Sequence, residues 1–336
     1  MAGRRNKKKK VENSLLTAMR FVSIAQRSVG TPEQTHCRLF NNQAVASNSV
    51  ITAGHKIQED IQVCPHTVTL TDALANLPDE TFSLTLTENN TLAIRADKFE
   101  AIVHCVNAVP SVGPDAAAYL CDNRLHTAMD IAGLLVSDGA TKVVNASIQL
   151  RNGSVVSSNG NVILEAWHGI GMPDLLIAPK ALATASHKAT GQQGKSLYRF
   201  GLGPDSLTLH YEDGAWLKSQ LYPGDTELPD LLKWLNIPGT TPVEIPEGFF
   251  ELVKRLEPFS EDGQVLFSGG EVRTTKQSLS TYAIESAKHL RGLVMSFNIK
   301  SLLTIQPFVK KVHFNAAPGV SLFYGDSVRC AVATGK

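Results

Sequence analysis

The sequence predicts an α+β protein built from three tandem copies of one unit. Its first helix-like stretch, Leu15-Leu16-Thr17-Ala18-Met19, returns 110 positions later as Leu125-His126-Thr127-Ala128-Met129. A looser version, Gly248-Phe249-Phe250-Glu251-Leu252-Val253, follows at a similar distance. Each copy opens an apolar run of helical character, and short segments typical of strands follow it. Because self-similarity at a fixed spacing indicates a repeated unit, the chain divides into a basic arm, 1–10, and three units, 11–110, 111–240 and 241–336.

Length and composition are those of an ordinary globular protein. With 336 residues the chain has room for two or three domains that each bury a core. Hydrophobic residues make up 43% of it and charged residues 19%. No apolar run approaches the ~18 residues that a membrane span requires, so we expect none. The cysteines are odd in number and form no C-x-x-C pair, which favours reduced thiols in a cytosolic compartment over disulfides or a zinc site: Cys37, Cys64, Cys105, Cys121 and Cys330.

The near-zero net charge conceals a basic arm on an acidic body. The arm contains no acidic residue and six basic ones: Arg4, Arg5, Lys7, Lys8, Lys9 and Lys10. Of the 32 basic residues, 26 remain in the body, against 31 acidic residues. We expect the arm to be disordered and to contact a polyanion. The alternative is that it is only a solubilising tail or an expression tag.

In the first unit, a helix is expected to begin at Ser14 and to stop at Gly30-Thr31-Pro32. Arg20 and Arg27 are seven positions apart, two helical turns, and are therefore predicted to share one face of it. A second helix, 66–77, is predicted after Pro65. Strands are predicted at 36–42, 44–48, 50–57, 82–86, 92–95 and 99–106.

The second and third units are predicted to follow the same order. Helices are expected at 123–137, at 180–188 after Pro179, at 231–235, at 247–257 and at 300–309. Strands of the second unit are expected at 142–150, 154–158, 161–168, 197–200, 206–212 and 215–221. Those of the third are expected at 264–268, 271–275, 280–286, 294–298, 312–315, 320–324 and 327–333. Two helices and several antiparallel strands in each unit give the α+β class.

Two stretches carry a resemblance to a known family. The first reads LTLHYEDG at 207–214, LKSQLYPG at 217–224 and LPD at 228–230, and the second reads SFNIKSLL at 296–303. They are similar to the second-domain hairpin and to the start of the last helix of the bacterial-type DNA sliding clamps, the beta subunits of DNA polymerase III. The likeness covers residues 11–336, and the chain resembles either a cellular or a viral version.

The resemblance implies a fold and a function. Three tandem clamp domains per chain, six in a homodimer, would close into a ring with helices inside and antiparallel sheets outside. Such a ring is a processivity factor that encircles double-stranded DNA and tethers the replicative DNA polymerase. It needs a clamp loader, uses no cofactor or metal and performs no covalent chemistry. Its expected location is the cytoplasm of a bacterial cell or of a virus-infected bacterial cell.

The same resemblance implies three groups of site residues. DNA phosphates would be met by Arg20, Arg27, Arg124, Lys142, Lys180, Lys188, Lys254, Arg255, Lys300 and Lys310. A cleft for client peptides would involve Val144, Gly160, Val162, Ile163, Pro238, Val332, Ala333 and Thr334. The dimer interface would use Phe99 and Ile102. The family's methionine- and proline-rich C-terminus is replaced here by Ala331-Val332-Ala333-Thr334-Gly335-Lys336, which puts the choice of client peptide in doubt.

Two other functions remain open. A clamp-like protein could bind replication factors without conferring processivity, and a primer-extension assay would distinguish the two. An enzyme is the third alternative, but the sequence has no nucleophile elbow, phosphate-binding loop or metalloprotease motif. His104, His168 and His210 alternate with apolar residues and are expected to be strand side chains.

Overall fold

The computed structural model describes residues 14–78, 81–110, 112–173, 175–275, 284–286 and 290–335. The predicted basic arm, 1–10, and the first part of the predicted strand 280–286 lie outside them. By its internal contacts the chain separates into two compact units. Unit 1 consists of Met1–Asn123 and Thr184–Leu221, and unit 2 of Arg124–Ala183 and Tyr222–Lys336. The predicted division at residues 110 and 240 stays a prediction.

The helices are short. In the described part of the chain they are α1 (Ser14–Val22), α2 (Pro32–Thr35), α3 (Thr67–Ala75), α4 (Asn123–Gly133), α5 (Val143–Ala146), α6 (Lys180–Ser186), α7 (Leu232–Leu235), α8 (Phe249–Leu256) and α9 (Ile299–Ile305). Three of them continue into 3-10 turns, at Ser23–Ala25, Glu257–Phe259 and Gln306–Phe308. A π-helical turn, His187–Gln192, continues α6.

The strands are all paired antiparallel, in three sheets. The first strands are β1 (Arg38–Phe40), β2 (Gln43–Ser47), β3 (Ile51–Lys56), β4 (Cys64–Pro65), β5 (Ser83–Leu86), β6 (Thr91–Ala96) and β7 (Phe99–Val106). The next are β8 (Tyr119–Leu120), β9 (Ser147–Arg151), β10 (Ser154–Ser158), β11 (Val162–Trp167), β12 (Leu176–Pro179), β13 (Leu197–Gly203), β14 (Ser206–Tyr211) and β15 (Trp216–Gln220). The last are β16 (Val243–Glu244), β17 (Gln264–Ser268), β18 (Glu271–Thr274), β19 (Ile284–Ser286), β20 (Met295–Asn298), β21 (Lys311–Ala317), β22 (Val320–Tyr324) and β23 (Val328–Gly335).

The strand order repeats along the chain. We call α1 to β7 repeat 1, β8 to β15 repeat 2 and β16 to β23 repeat 3. The triplets β1–β2–β3, β9–β10–β11 and β17–β18–β19 are each hydrogen-bonded in sequence order, as are β5–β6–β7, β13–β14–β15 and β21–β22–β23. A helix precedes each triplet of the second kind: α3, α6 or α9. A first strand triplet, a helix and a second strand triplet therefore follow one another in the same order in all three repeats.

The first helices of the repeats share one burial pattern. Leu15, Leu16, Ala18 and Met19 of α1 are buried, whereas Thr17 is less so. In α4 the equivalent buried residues are Leu125, His126, Ala128 and Met129, and in α8 they are Phe249, Phe250, Leu252 and Val253. The third position, Thr127 or Glu251, is exposed in both. This spacing turns one face of each helix toward the core, as the repeated sequence predicts.

Repeats are joined through paired edge strands, which we call seams. In unit 1, β15 of repeat 2 pairs with β3 of repeat 1, and in unit 2, β23 of repeat 3 pairs with β11 of repeat 2. At the fourth residue of β3, Gly54 faces Trp216, and a Cβ on Gly54 would lie 2.2 Å from the indole ring. At the fourth residue of β11, Glu165 faces Arg329, with 2.6 Å between Arg329 Nε and Glu165 Oε2.

Some predicted elements differ from the structure. The predicted strand 142–150 is wrong at its start, because Val143–Ala146 forms α5 and the strand begins at Ser147. The Ser147 hydroxyl donates to the carbonyl of Val143 at 2.7 Å and closes a helical turn within an apolar run that looks like a strand. Helix α2, which was not predicted, has the same device, since Thr35 Oγ1 donates to the Thr31 carbonyl at 3.1 Å. The helix predicted for 123–137 ends at Gly133.

Candidate nucleic-acid and peptide interfaces

Two basic side chains occupy the same place on the first helices of two repeats. Arg20 follows Met19 in α1, and Lys254 follows Val253 in α8, and both are exposed. The equivalent residue of α4 is Asp130. The burial pattern fixes this position on the outer face of each helix, so a phosphate group could approach Arg20 and Lys254 without disturbing the core.

In unit 1 the end of α1 lies against the π-helical turn. The Gln193 side-chain amide donates to the carbonyl of Arg20 at 3.0 Å. Lys188 is exposed in the same turn, five positions before Gln193. Arg20 and Lys188, which were predicted separately, therefore belong to one surface region of unit 1.

In unit 2 the other predicted basic residues lie at the helix starts or on the α8–α9 pair. Arg124 is the second residue of α4, and Lys180 is the first residue of α6 after Pro179, as predicted. Helices α8 and α9 pack against each other and present Lys254, Arg255 and Lys300, all exposed. Among the described residues, Lys254 and Lys300 form no ion pair, so their charges remain available to a ligand.

One predicted placement on a helix is wrong. Arg27 does not share a helical face with Arg20, because α1 ends at Val22 and its 3-10 turn ends at Ala25. Here the Ser23 hydroxyl donates to the Arg20 carbonyl at 2.7 Å, which satisfies an acceptor at the helix end. Lys310 and Lys142 both lie outside helices.

Lys310 follows the 3-10 turn after α9, and its Nζ lies 2.6 Å from Asp326 Oδ2. Lys142 is the N-cap residue of α5 and is exposed.

A pocket of about 340 Å³ opens in unit 2. Its walls come from the turn before β11, the end of β23, the β21–β22 turn and helix α7. All the lining residues are uncharged: Gly160, Asn161, Ile163, Trp234, Pro318, Gly319, Val320, Ala331, Val332 and Ala333. A concave, uncharged surface with an indole at its edge suits apolar side chains of a ligand.

Half of the residues predicted for the peptide cleft line this pocket: Gly160, Ile163, Val332 and Ala333. Val162 does not, because neighbouring residues of a strand face opposite sides and Val162 is 1% exposed. Val144 in α5, Pro238 after α7 and Thr334 are not part of the lining either.

Sequence reasoning missed Trp234, which is 42% exposed and lines the pocket. Helix α7, which carries Trp234, is held in place because Leu235 is buried in a cluster with Leu322 and Ala331. Arg329 Nη1 donates to the Leu235 carbonyl at 3.3 Å. The only sequence signal was a tryptophan in a short helix between proline-rich turns, which does not say what the indole contacts.

The two residues predicted for the dimer interface lie on β7. Phe99 is half-buried, and Ile102 is 60% exposed. One side of β7 pairs with β6 along the whole of Phe99–His104, whereas on the other side β4 pairs with Cys105 and Val106 alone. The His66 N–H also donates to the His104 carbonyl at 3.1 Å, so within the described part of the chain the stretch 99–103 is an open sheet edge.

Charged side chains that cluster in unit 1 are paired with one another. Lys218 Nζ lies 2.8 Å from Asp115 Oδ1, and the hydroxyls of Ser206 and Thr208 each donate to Asp115 Oδ2 at 2.9 Å. Burial alone would raise the pKa of Asp115, but these hydrogen bonds outweigh it and hold the pKa below its usual value. These contacts hold the segment before β8 against β14 and β15, so the cluster has a structural role.

A second such cluster lies around Asp213 in the same unit. Lys195 donates to Asp213 and lies 3.2 Å from His55 Nε2, and the lysine side chain is 11% exposed. His55 Nδ1 lies 2.7 Å from the carbonyl of Lys56. His55 Nε2 also lies 3.3 Å from Asp213 Oδ2, so the three side chains of this cluster contact one another.

Two other features are absent from the described residues. No group of three or more His, Cys, Asp or Glu side chains among them is arranged to hold a metal ion. No helix formed by them is long and apolar enough to cross a membrane.

The chain is similar in structure to several bacterial clamps. It matches the DNA polymerase III subunit beta of Pseudomonas aeruginosa with a TM-score of 0.78 and 14% identity, over 97% of this chain and 98% of that one. The Caulobacter crescentus DNA polymerase sliding clamp gives a TM-score of 0.78 with 17% identity, over 96% and 97% of the two chains. The Helicobacter pylori beta clamp bound to a DNA ligase peptide gives 0.73 with 15% identity, over 97% and 99%.

In sequence, no protein-family model and no curated protein matches the chain. The structural agreement nevertheless extends over nearly the whole length of each of these clamps. The chain therefore has the fold of the bacterial DNA polymerase III beta sliding clamps.

Proposed function

We propose that this protein is a DNA sliding clamp, a homodimeric ring that encircles double-stranded DNA and tethers a DNA polymerase. It would act without covalent chemistry, cofactor or metal, in the cytoplasm of a bacterial or virus-infected cell, and a clamp loader would open it. The fold supports this proposal, although one fold can serve several functions. No finding on the described residues favours a clamp-like protein without processivity.

The observation that carries the proposal is the way repeats join. Each seam pairs the last strand of one repeat with the third strand of the first triplet of the repeat before it: β15 with β3, and β23 with β11. The last strand of repeat 1, β7, and the third strand of the first triplet of repeat 3, β19, are left without such a partner among the described residues. Pairing β7 of one chain with β19 of a second would use the same joint again. Two copies would then close into a ring of six repeats.

Ring closure is tested by sedimentation of the full chain at micromolar concentration. We expect twice the chain mass. Ile102→Asp places a charge on the open β7 edge and is expected to give monomers. Val29→Asp is the control, because Val29 is 84% exposed and lies in the segment between the 3-10 turn after α1 and helix α2, not on β7. A monomeric wild-type protein, or a dimeric Ile102→Asp variant, would contradict the proposal.

Contact with DNA is supported by the exposed basic residues on the helices. Lys254→Ala with Lys300→Ala is expected to lower the slope of log binding constant against log salt by about one for each lost phosphate contact. Lys56→Ala, an exposed lysine on β3, serves as the control. Asp130→Lys gives repeat 2 the charge that Arg20 and Lys254 give the others, and it is expected to strengthen binding.

Encirclement itself requires a topological assay. The protein is placed on nicked circular DNA by a bacterial clamp loader with ATP. We expect it to survive a high-salt wash and to be lost when the circle is cut, because a closed ring leaves only through a free end. Equal loss from the circular and the cut DNA would contradict encirclement.

The pocket of unit 2 is proposed as the client-peptide site. Its uncharged lining fits a short apolar segment, and Trp234 offers the largest contact area. The DNA ligase peptide seen with the Helicobacter pylori clamp is a suitable probe. Trp234→Ala is expected to weaken its binding by about 2 kcal/mol or more. Trp167→Ala, a tryptophan equally exposed at 42%, is expected to leave binding unchanged.

A further inference from the structure

Two histidines face each other where the chain around β1 approaches the chain around β4. His36 lies two residues before β1, His66 directly follows β4, and the two form an antiparallel bridge. A second bridge in the same pair of segments joins Leu39 to Val63. Strands β1 and β4 belong to different sheets. The two bridges therefore connect two sheets of repeat 1.

The register makes His36 and His66 a close pair. The Leu39 N–H donates to the Val63 carbonyl at 2.9 Å, and the Val63 N–H donates to the Leu39 carbonyl at 3.1 Å. Hydrogen-bonded and non-hydrogen-bonded pairs alternate along antiparallel segments, and the histidine pair lies three positions further on. It is therefore of the non-hydrogen-bonded kind, and the His36 N–H donates instead to the Pro32 carbonyl at 2.9 Å. Pairs of this kind bring side chains closest, with Cα atoms about 4.5 Å apart.

The two rings are spaced as two ligands of one metal ion would be. The centroids of the His36 and His66 rings lie 5.1 Å apart, and the ring planes are inclined by 84°. Two imidazoles that bind one ion at about 2.0–2.1 Å from a ring nitrogen have centroids about 5 Å apart. Both residues are partly exposed. Perpendicular rings also pack well without a metal, so the surroundings of the nitrogen atoms must distinguish the two cases.

Threonine hydroxyls lie beside one nitrogen of each ring. His36 Nδ1 lies 2.9 Å from Thr35 Oγ1, and His66 Nδ1 lies 2.8 Å from Thr69 Oγ1. Among the described residues, neither Nε2 atom has a hydrogen-bond partner. Thr35 Oγ1 donates to the Thr31 carbonyl at 3.1 Å, so its lone pairs can accept a proton from His36 Nδ1. A ligating histidine commonly donates its second ring N–H in this way.

The protonation of His36 also suits a metal ligand. Burial, and after it the charge of His66, lowers the pKa of His36 below its usual value. The ring is therefore neutral at neutral pH, and the neutral imidazole is the form that binds metal ions.

Metal binding at His66 would compete with one weak contact. The Thr69 N–H donates to His66 Nδ1 at 3.3 Å and so caps the start of α3. This bond is lost when Nδ1 carries a proton and Nε2 carries the ion. Because the bond is long, its loss costs little.

We propose that His36 and His66 bind one divalent transition-metal ion such as Zn²⁺ through their Nε2 atoms, and that the ion joins the two sheets of repeat 1. Imidazole suits Zn²⁺, Ni²⁺ and Cu²⁺, whereas Mg²⁺ and Ca²⁺ prefer oxygen ligands. Water completes the coordination, because no group of three His, Cys, Asp or Glu side chains among the described residues is arranged for a metal. The ion has a structural role, and the proposed sliding on DNA does not need it.

The test is calorimetric titration of the full chain with Zn²⁺ after treatment with a chelator. We expect one ion to bind per chain and no heat from Mg²⁺. His36→Phe keeps a ring without nitrogen atoms, and His66→Asn keeps a side chain that can cap α3. Each is expected to weaken zinc binding at least about tenfold. His104→Ala is the matched control, because His104 is exposed and its carbonyl accepts the His66 N–H, yet it lies outside the proposed site.

A second measurement on the wild-type chain does not depend on variants. Zn²⁺ is expected to protect His36 and His66, but not His104, from modification by diethyl pyrocarbonate, as read by mass spectrometry. An ion that binds only the folded protein also stabilises it. Zn²⁺ should therefore raise the melting temperature of the wild type and of His104→Ala, and not that of the two ligand variants. Melting in chelator shows that each variant is folded.

Three results would overturn the proposal. They are the absence of zinc binding, zinc binding of unchanged strength in both ligand variants, and an equal loss of binding in His104→Ala. Protection of His104 together with the other two histidines would also count against a two-histidine site. None of these outcomes depends on ring closure or DNA binding.

Discussion

The two seams are the same joint made with different chemistry. Both pair the last strand of one repeat with the third strand of the first triplet of the repeat before it, in antiparallel register. At the fourth residue, the seam of unit 1 sets the Trp216 ring on the bare backbone of Gly54. The seam of unit 2 sets Arg329 against Glu165 at the same place. One joint relies there on steric fit and the other on charge.

The difference shows which part of the joint is general. Backbone pairing recurs in both seams, whereas the facing side chains differ and need only be compatible with each other. Glu165 has a 6% exposed side chain, so the charge is tolerable only because Arg329 neutralises it. Gly54 is acceptable in a strand only because an indole takes the space that its side chain would fill.

The largest effect is expected from Gly54→Leu. The new side chain would overlap the Trp216 ring, which lies 2.2 Å from a Cβ at this position, and would separate β3 from β15. We expect the free energy of unfolding to fall by about 3 kcal/mol or more, as measured by urea denaturation. Gly139→Ala is the control, because nothing lies within 4 Å of its Cβ. A stable Gly54→Leu variant would mean that this joint does not depend on steric fit.

Glu165→Ala tests the charged joint and is expected to have the next largest effect. It leaves Arg329 mostly buried without its carboxylate, which should cost about 2–3 kcal/mol in urea denaturation, less than for a fully buried pair. Glu165→Leu with Arg329→Met removes both charges and is expected to recover most of that loss. If the double variant is no more stable than Glu165→Ala, the pair contributes stability beyond the mutual neutralisation of its two charges.

Asp115→Asn is expected to cost about 1–2 kcal/mol at neutral pH, because Lys218 on β15 loses its ionised partner. The pKa of Asp115 is lower in the folded protein than in the unfolded chain, so its contribution is present above the unfolded pKa. It is lost as the pH falls through the lower, folded pKa. Wild type and variant should therefore converge in stability in strong acid. A difference that stays constant from pH 7 to pH 2 would contradict this assignment.

The sequence predicted the repeated helices well, because a single burial pattern determines them. The stretches that begin at Leu15, Leu125 and Phe249 all lie in α1, α4 and α8, with their apolar residues buried. Lys180 begins α6 as expected, since a proline immediately before it sets the helix start. The turn at Asn152-Gly153 joins β9 to β10, between the predicted strands 142–150 and 154–158.

The features that were not predicted depend on contacts across the chain or on local capping. Arg27 lies outside the helix predicted for it because α1 ends early, at Val22. Near that end the Ser23 hydroxyl and the Gln193 side-chain amide donate to the Arg20 carbonyl. The seams pair residues such as Glu165 and Arg329, which are 164 positions apart, and no local periodicity reveals such a pair. Trp234 lies at the pocket because the burial of its neighbour Leu235 positions helix α7. That burial also depends on contacts with the distant strands β22 and β23.

Strand β23 has three neighbours at once. It pairs with β22 inside its own repeat, with β11 across the seam, and with β20 through Phe297 and Ser296. Three of its residues, Ala331, Val332 and Ala333, also form a wall of the pocket. A small molecule bound in that pocket would contact the strand through which two repeats are paired. Small molecules that bind there should therefore be assayed for loosening of the pairing between β23 and β11.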